Sequence, residues 1–298
     1  MNSVWATDHA TSFVQLDYAL LVHHSVALGQ LAHTPPSTVD NFQYGGQTYS
    51  ALAPGSAFLA LPFLAVAFAI SGTYTAYGPA LFWSETFVSA AGAIATLLLY
   101  EIARMYFRRS TSILLGLAFA FSTILWPFAT FFFQSDVSAM LVLASVFFAL
   151  KASRSAEKGP RLSLACGLAA GLAFTTDYVD AVVIPVLLLF LIFRRRETGM
   201  SVLVSAVAFC LGTLPGLAAI GAYNSAIFGT PFMFTESAYV GQSILAKFST
   251  PLTYGLALNT VSLSRGVFIF APFTLLGVLG YVDAIRGKEK KAEMLLFL

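Results

Sequence analysis

Charged side chains are scarce in this sequence, which excludes an ordinary soluble domain. Only 10% of its 298 residues are charged and 58% are hydrophobic, whereas soluble domains carry about 25% charged residues. The cysteines are limited to Cys166 and Cys210, which lie in apolar runs without CxxC spacing and indicate ordinary packing residues. The composition predicts a polytopic membrane protein and gives no sign of nucleic-acid binding.

Long apolar runs predict an all-α bundle, since a helix needs about 20 apolar residues to cross a bilayer. The candidate spans are 79–103, 111–133, 136–151, 162–176, 179–193, 200–222 and 265–285. An eighth begins near Glu293. We therefore expect two parts: an extracytoplasmic segment over 1–78, and a transmembrane bundle over 79–298 of about seven spans plus the start of an eighth.

The placement of basic residues predicts the topology. Residues 1–103 contain no Lys or Arg, and fourteen of the sixteen in the chain fall in every second loop between these spans. They are Arg104, Arg108, Arg109, Lys151, Arg154, Lys158, Arg161, Arg194–Arg196, Arg286, Lys288, Lys290 and Lys291. By the positive-inside rule these loops are cytoplasmic, so we expect a multi-pass plasma-membrane protein whose N-terminal segment lies outside.

Two apolar runs are not predicted to form simple membrane spans. Run 56–71 is short, contains Pro62 and follows a cation-free segment, which favours a juxtamembrane or re-entrant helix on the outer face. Run 162–193 is too long for one span and would put Arg194–Arg196 outside. We expect it to break at Thr175–Tyr178, with the turn beside an outward-facing cavity.

The N-terminal segment is predicted to lie along the membrane. Residues 11–32 have apolar side chains at helical spacing and predict an interfacial amphipathic helix, and 41–50 predict a turn-rich polar loop. The histidines of the segment show no metal-binding spacing, so no metal site is predicted. They are His9, His23, His24 and His33.

Several acids near the outer ends of the spans have two readings each. Glu85 is either a carboxylate stabilised by a helix dipole or a functional intramembrane acid. Asp136 either caps the following helix or has a functional role. Asp177 and Asp180, at the broken turn, have either a structural or a functional role.

The two remaining cations, Lys247 and Arg265, stand apart from the basic loops. Each is either a loose lipid anchor or a phosphate-binding residue. Arg265 lies in Ser264-Arg265-Gly266 at the mouth of a span, where a guanidinium can bind phosphate oxygens through two hydrogen bonds. With no P-loop and only short cytoplasmic loops, chemistry is expected on the outer face, where a substrate entering from the bilayer would be a lipid phosphate.

Several motifs, in this order, resemble the GT-C superfamily of polyprenyl-phosphate-dependent glycosyltransferases, related to protein mannosyltransferases and aminoarabinose transferases. They are Tyr49–Gly55 with Leu61-Pro62, Trp126–Phe128 with Phe131–Asp136, Gly167–Ala173 with Thr176–Tyr178, Ala222–Asn224 with Phe228–Phe232, and Ser264–Phe268 with Ala271-Pro272. Together they span about 49–272. The resemblance implies a helical bundle whose first large outer loop contains juxtamembrane helices.

The resemblance also implies the chemistry, which is transfer of a sugar from a polyprenyl-phosphate carrier to a glycan, lipid or protein acceptor. Asp17 or Asp8 would be the catalytic base, and Arg265 with Lys247 would hold the phosphate. The other candidate substrate-binding residues are Glu85, Asp136, Asp177 and Tyr178. No organic cofactor is implied, and the transfer is either metal-independent or assisted by a divalent metal.

The sequence departs from this family in some respects. Relatives have a span before the first outer loop, so the chain is interpreted as a fragment without its first helix and its C-terminal part. The paired acids of the catalytic loop are absent, and Gln134-Ser135 stand where many relatives carry histidine. Two other functions stay open: a transporter, suggested by the broken helix and Glu85 although no internal repeat is found, and a non-catalytic protein that binds a lipid carrier.

Overall fold

A computed structural model of the protein describes residues 8–28, 38–71, 77–197, 201–241, 251–264, 266–272, 274–275 and 277–278. Within them the helices are α1 (Asp8–Tyr18), α2 (Gly55–Ser71), α3 (Tyr77–Arg104), α4 (Arg109–Phe121), α5 (Leu125–Phe128), α6 (Gln134–Ser153), α7 (Gly159–Thr176), α8 (Val183–Glu197), α9 (Val202–Phe228), α10 (Thr235–Val240), α11 (Leu252–Val261) and α12 (Val267–Phe270). A π-helical turn, Ala19–His23, continues α1. The helical architecture confirms the predicted all-α class.

Three of these helices, α3, α6 and α9, are long and apolar enough to cross a membrane. They correspond to the predicted spans 79–103, 136–151 and 200–222, with α9 beginning two residues later than predicted. The apolar helices α2 and α4 are shorter. The run 265–285 is described only in part and the segment from Glu293 lies outside the described residues, so the count of seven spans stays a prediction.

The long apolar run breaks where the sequence predicts. Helix α7 ends at Thr176, and a 3-10 helix, Tyr178–Val182, leads into α8. Asp177 adopts an extended conformation, and its Oδ1 accepts a hydrogen bond from the Val179 amide at 3.0 Å. This side chain caps the 3-10 helix, because it satisfies an amide that has no partner at a helix start.

The predicted span 111–133 is wrong as a single helix. Helix α4 ends at Phe121, and α5 begins at Leu125. The Thr123 hydroxyl donates to the Phe119 carbonyl at 2.7 Å and accepts from the Leu125 amide at 3.0 Å. These local bonds replace the helical ladder, as Ser and Thr side chains commonly do at helix ends.

The predicted polar loop over 41–50 is a β-hairpin. Strands β1 (Asn41–Tyr44) and β2 (Gln47–Ser50) pair antiparallel, with Phe42 opposite Tyr49. Gly45 and Gly46 form the turn with φ of 55° and 80°. Positive φ at both positions matches the two-residue turn whose twist suits a hairpin, and glycine adopts it without strain.

Helix α1 differs from the interfacial helix predicted over 11–32. It begins at Asp8, and the π-helical turn after it stops at His24, whose φ is 49°. All residues from Ala10 to Asp17 are buried. The helix is therefore packed inside the fold, with Phe13 and Leu16 in the larger apolar core beside Phe132.

Helix α2 is too short to reach the far end of the bundle. Gly55 lies directly against the Thr175 backbone at the end of α7. The helix has 17 residues, or about 25 Å, and the six steps from Ser71 to Tyr77 reach at most about 21 Å. Because α3 is 28 residues long, or about 42 Å, α2 does not reach its far end. This favours the juxtamembrane or re-entrant interpretation.

Helices α7 and α9 pack with their backbones in contact through two pairs of glycines. Gly167 and Gly171 face α9, and Gly212 and Gly216 face α7. A Cβ on Gly171 would lie 2.7 Å from the Thr213 carbonyl oxygen, and one on Gly216 would overlap the Gly171 carbonyl. Small residues four apart permit this close approach, which drives helix association where lipid removes the hydrophobic effect.

Charge is separated between the two ends of the bundle. Every Lys and Arg in the described residues lies at one end, which we call the basic end. Contacts hold that end together: Arg154 stacks on Tyr106, and Arg195 packs against Gly159. The starts of α3 and α6 and the ends of α7 and α9 form the opposite, acidic end. The structure thus contains the charge asymmetry on which the predicted topology rests.

Candidate functional site

The acidic end brings together carboxylates from separate elements. Helix α1 reaches the start of α3 through a 2.8 Å hydrogen bond between the Thr11 and Tyr77 hydroxyls, and reaches the α6 entry by stacking His9 on Phe133. The Thr235 hydroxyl, at the start of α10, donates to the Ala51 carbonyl at 3.1 Å. The acids at this end are Asp8, Asp17, Asp40, Glu85, Asp136, Asp177, Asp180 and Glu236.

Asp17, one of the two predicted bases, is completely buried. Neither carboxylate oxygen has a hydrogen-bond partner among the residues that the structure describes. Removal from water raises the pKa of Asp17 well above its ordinary value, because the charged form loses its hydration. Burial therefore opposes the charged carboxylate, which is the form that accepts a proton.

We expect Asp17→Asn to remove a pH dependence of stability. The raised folded-state pKa means that stability is fully present below the unfolded value of about 4 and is lost as pH rises through the folded value. Over that window wild type should lose about 1.4 kcal/mol per pH unit, and the uncharged isostere should not. Thermal unfolding between pH 4 and 8 measures the difference.

Glu157→Gln, at an exposed carboxylate of the basic end, is the control and should keep the wild-type pH dependence. Equal slopes for wild type and Asp17→Asn would contradict the raised pKa of the buried carboxyl.

Asp8, the other predicted base, is exposed and lies next to a pair that the sequence interpretation missed. His9 Nδ1 lies 2.7 Å from Asp40 Oδ2. Burial raises the pKa of Asp40, with the charge of Asp8 adding to the rise and the contact with His9 opposing it. No sequence signal identified this pair, because 31 positions separate its members and the turn before the hairpin brings them together.

Asp136 lies in the first turn of α6 and is almost fully buried. Its Oδ2 has no hydrogen-bond partner within the described part of the chain, and a Cβ on Gly92 of α3 would lie 3.1 Å from that oxygen. No side-chain cap bond is formed at the start of α6. The capping role is therefore not observed, and a part for Asp136 in substrate binding stays a prediction. Glu85 is half-buried two turns into α3, and its part in substrate binding also stays a prediction.

The broken turn is stabilised by its own side chains. Asp177 caps the 3-10 helix, and Asp180 Oδ2 accepts from the Ser138 hydroxyl at 2.6 Å. The Tyr178 hydroxyl lies 3.2 Å from the Thr235 hydroxyl, and its ring packs on Phe234. These contacts give the turn a structural role and join α6, the turn and α10, while a part in substrate binding for Asp177 and Tyr178 stays a prediction.

The predicted phosphate clamp, Lys247 and Arg265, lies outside the described residues. In the residues that are described, no group of three or more His, Cys, Asp or Glu side chains is placed to hold a metal ion.

Comparison with known proteins points to one family. Residues 62–218 match the model of the dolichyl-phosphate-mannose-protein mannosyltransferase family. Two structures of the oligosaccharyltransferase AglB from Archaeoglobus fulgidus are similar in fold, one in complex with an inhibitory peptide and a dolichol-phosphate and one in the apo form. No curated protein sequence matches the chain.

The likeness to AglB concerns the fold alone. Both structures are 14% identical with a TM-score of 0.53, and the match covers 98% of this chain. It covers 32% and 35% of the two AglB chains, so the present chain spans about a third of their length. The predicted GT-C-like helical bundle is confirmed.

Proposed function

Since the chain belongs to the dolichyl-phosphate-mannose-protein mannosyltransferase family, we propose that it is a membrane glycosyltransferase that moves a sugar from a polyprenyl-phosphate carrier to an acceptor. The observation that supports this proposal best is the convergence of carboxylates from α1, α3, α6 and the α7–α8 turn at one end of a GT-C-type bundle. Acids with different burial at one site are what acid–base chemistry on a sugar requires.

The reaction follows from the chemistry of the donor. A hydroxyl oxygen of the acceptor attacks C1 of the sugar, the bond from C1 to the phosphate oxygen breaks, and the carrier phosphate leaves with the electron pair. A base takes the hydroxyl proton, and Asp8 or Asp17 is predicted from the family resemblance to do so. Arg265 and Lys247 neutralise the charge that develops on the leaving phosphate.

We place the acidic end outside the cell and the chain in the plasma membrane. Support comes from the positive-inside rule, because the described cations lie at the opposite end. A donor that enters through the bilayer then presents its phosphate at this end, and the acceptor, a glycan, lipid or protein, arrives from the external solution.

A transfer assay tests the proposal. Membranes containing the chain are incubated with dolichyl-phosphate mannose labelled in the sugar, and we expect label to pass to a hydroxyl-bearing acceptor in the membranes while dolichyl phosphate is released, at least 10-fold faster than in membranes without the chain. The acceleration is expected because the bundle positions donor and base together.

Two results would contradict the proposal and name its replacement. Donor binding without release of dolichyl phosphate would identify a non-catalytic carrier-binding protein. Solute uptake by reconstituted vesicles, unchanged by the lipid donor, would favour the transporter, for which the broken helix α7–α8 is the supporting observation.

A further inference from the structure

We infer that the outer edge of strand β1 is a docking surface for an extended polypeptide segment that carries Lys or Arg. The segment pairs with β1 as a third strand of the hairpin. The inference goes beyond the proposed function, because it assigns an interaction surface whose occupation does not require transfer of a sugar. It is carried by the hydrogen bonds of the hairpin, the difference between its two edges and the charges beside β1.

The hydrogen bonds of the hairpin determine which residues of β1 point outward. In an antiparallel pair, opposite residues alternate between a bonded pair and a pair whose amides and carbonyls point away from the partner strand. The Ala51 amide donates to the Asp40 carbonyl at 2.7 Å, one position before the start of β1. Alternation from this bonded pair makes Asn41 and Gln43 the residues of β1 whose main-chain groups point outward.

The two edges of the hairpin differ in what covers them. On β2, the carbonyl of Thr48, opposite Gln43, accepts from the Leu28 amide at 2.8 Å, so the segment after α1 covers this edge. On β1, the Asn41 amide donates to the Thr38 carbonyl at 3.3 Å. The Asn41 carbonyl and both main-chain groups of Gln43 make no hydrogen bond within the described residues, and Gln43 is exposed. The β1 edge is therefore the open one.

An open strand edge is a template for another strand. Gln43 offers one N–H donor and one C=O acceptor, and the Asn41 carbonyl adds an acceptor about 7 Å away, the two-residue repeat of a strand. A polypeptide in extended conformation presents complementary groups at the same spacing. Main-chain bonds of this kind hold a strand whatever its side chains are, so the edge selects for conformation.

The edge is preformed because the hairpin is held by its side chains. The rings of Phe42 and Tyr44 pack on Phe228 at the end of α9, with ring centres 6.2 and 5.0 Å apart. The Asn41 side-chain amide donates to the Gln15 side chain of α1 at 2.8 Å. These contacts leave the main-chain edge uncovered, and a fixed edge loses little entropy when a strand binds.

The charges beside β1 determine which segment suits the edge. Asp40 directly precedes β1, and the Thr38 hydroxyl donates to the Asp8 carbonyl at 3.2 Å, which brings the exposed Asp8 to the same place. Residues 1–103 contain no Lys or Arg. A segment with Lys or Arg over the start of β1 therefore meets complementary charge, and an acidic segment is disfavoured.

Binding of a defined peptide to the purified full chain in detergent tests the inference. The probe is a fluorescent octapeptide of alternating Val and Thr with Lys at each end, and its anisotropy reports binding. Gln43→Pro should weaken binding about 10-fold, because it removes the outward amide but no hydrogen bond of the hairpin, and an edge strand tolerates proline. Gln43→Ala is the matched control, since it loses the side chain but keeps the amide, and it should bind like wild type.

Changes to the peptide test the same bonds without altering the protein. Methylation of every backbone nitrogen of the peptide should abolish binding. Methylation of alternate nitrogens leaves one edge of the peptide intact and should retain it. Replacing both Lys of the peptide by Glu should weaken binding about 3-fold at low salt, and Asp8→Asn should reduce that difference.

The outcomes separate the inference from the proposed function. No binding by wild type, or equal binding of the fully methylated peptide, refutes the docking edge whether or not the chain transfers a sugar. Equal binding by wild type and Gln43→Pro places the peptide elsewhere and also overturns the inference. Equal binding of the Lys and Glu peptides refutes the basic character of the partner. Binding that Gln43→Pro and methylation both weaken, in a chain without transfer from dolichyl-phosphate mannose, supports the docking edge and refutes only the proposed function.

Discussion

Gly216→Ala is expected to destabilise the chain by about 3 kcal/mol, the upper end of overpacking costs. The added methyl group would overlap the carbonyl of Gly171, and backbone cannot move aside as a flexible side chain can. Helices α7 and α9 would have to separate, and the shift would spread because Gly167 and Gly212 make the same close approach. Thermal unfolding and gel filtration of the detergent-solubilised chain measure the loss.

Gly221→Ala is the matched control on the same helix. Its new Cβ would lie 3.5 Å from the Pro231 Cβ, an ordinary contact. Alanine stabilises a helix by about 1 kcal/mol relative to glycine, so this variant should unfold at or above the wild-type temperature. Equal stability of the Gly216 and Gly221 variants would mean that α7 and α9 do not touch through their backbones.

The bundle could be predicted to the extent that apolar length and charge determine it. The runs that became α3, α6 and α9 are recognisable because lipid requires about 20 apolar residues. The break at Asp177 was predictable because 32 residues exceed one bilayer crossing and the arginines after Phe193 would otherwise change side.

The errors lie where local hydrogen bonds or tertiary packing decide. The break between α4 and α5, after Phe121, depends on two hydrogen bonds of the Thr123 hydroxyl. The mean hydropathy of the run contains no information about such bonds. The hairpin was missed although Gly45-Gly46 is a turn signal, because the polar flanking strands lack the apolar alternation of a buried sheet. Burial of α1 on all sides is a tertiary effect that its own sequence does not express.

The candidate site was predictable as a set of residues at one end of the bundle, but its internal arrangement was not. Charge placement alone put Asp17, Glu85 and Asp136 at the same end. That Asp17 is sealed in the core and that His9 meets Asp40 depend on how the hairpin folds back on α1. Such pairings between distant segments leave no periodic pattern in the chain.

Arg265→Ala is expected to abolish most transfer, lowering the rate of dolichyl phosphate release by about 100- to 1,000-fold. Under the proposed mechanism the phosphate gains charge as the bond to the sugar breaks, and the carboxylates of the acidic end make that charge more costly. Arg265 lies two residues before α12 in the sequence and is, with Lys247, one of two cations that the positive-inside pattern predicts at this end. Without these two cations the departing phosphate has no positive charge beside it.

Three further variants make this expectation specific. Arg265→Lys keeps the charge but not the paired hydrogen bonds, so it should recover part of the rate. Lys247→Ala should cost less than Arg265→Ala, since an ammonium acts as a point charge. Arg161→Ala, at an exposed cation of the basic end, should transfer like wild type because it lies a full helix length away. A wild-type rate for Arg265→Ala would remove the clamp from the mechanism and leave the phosphate charge to be neutralised by other groups.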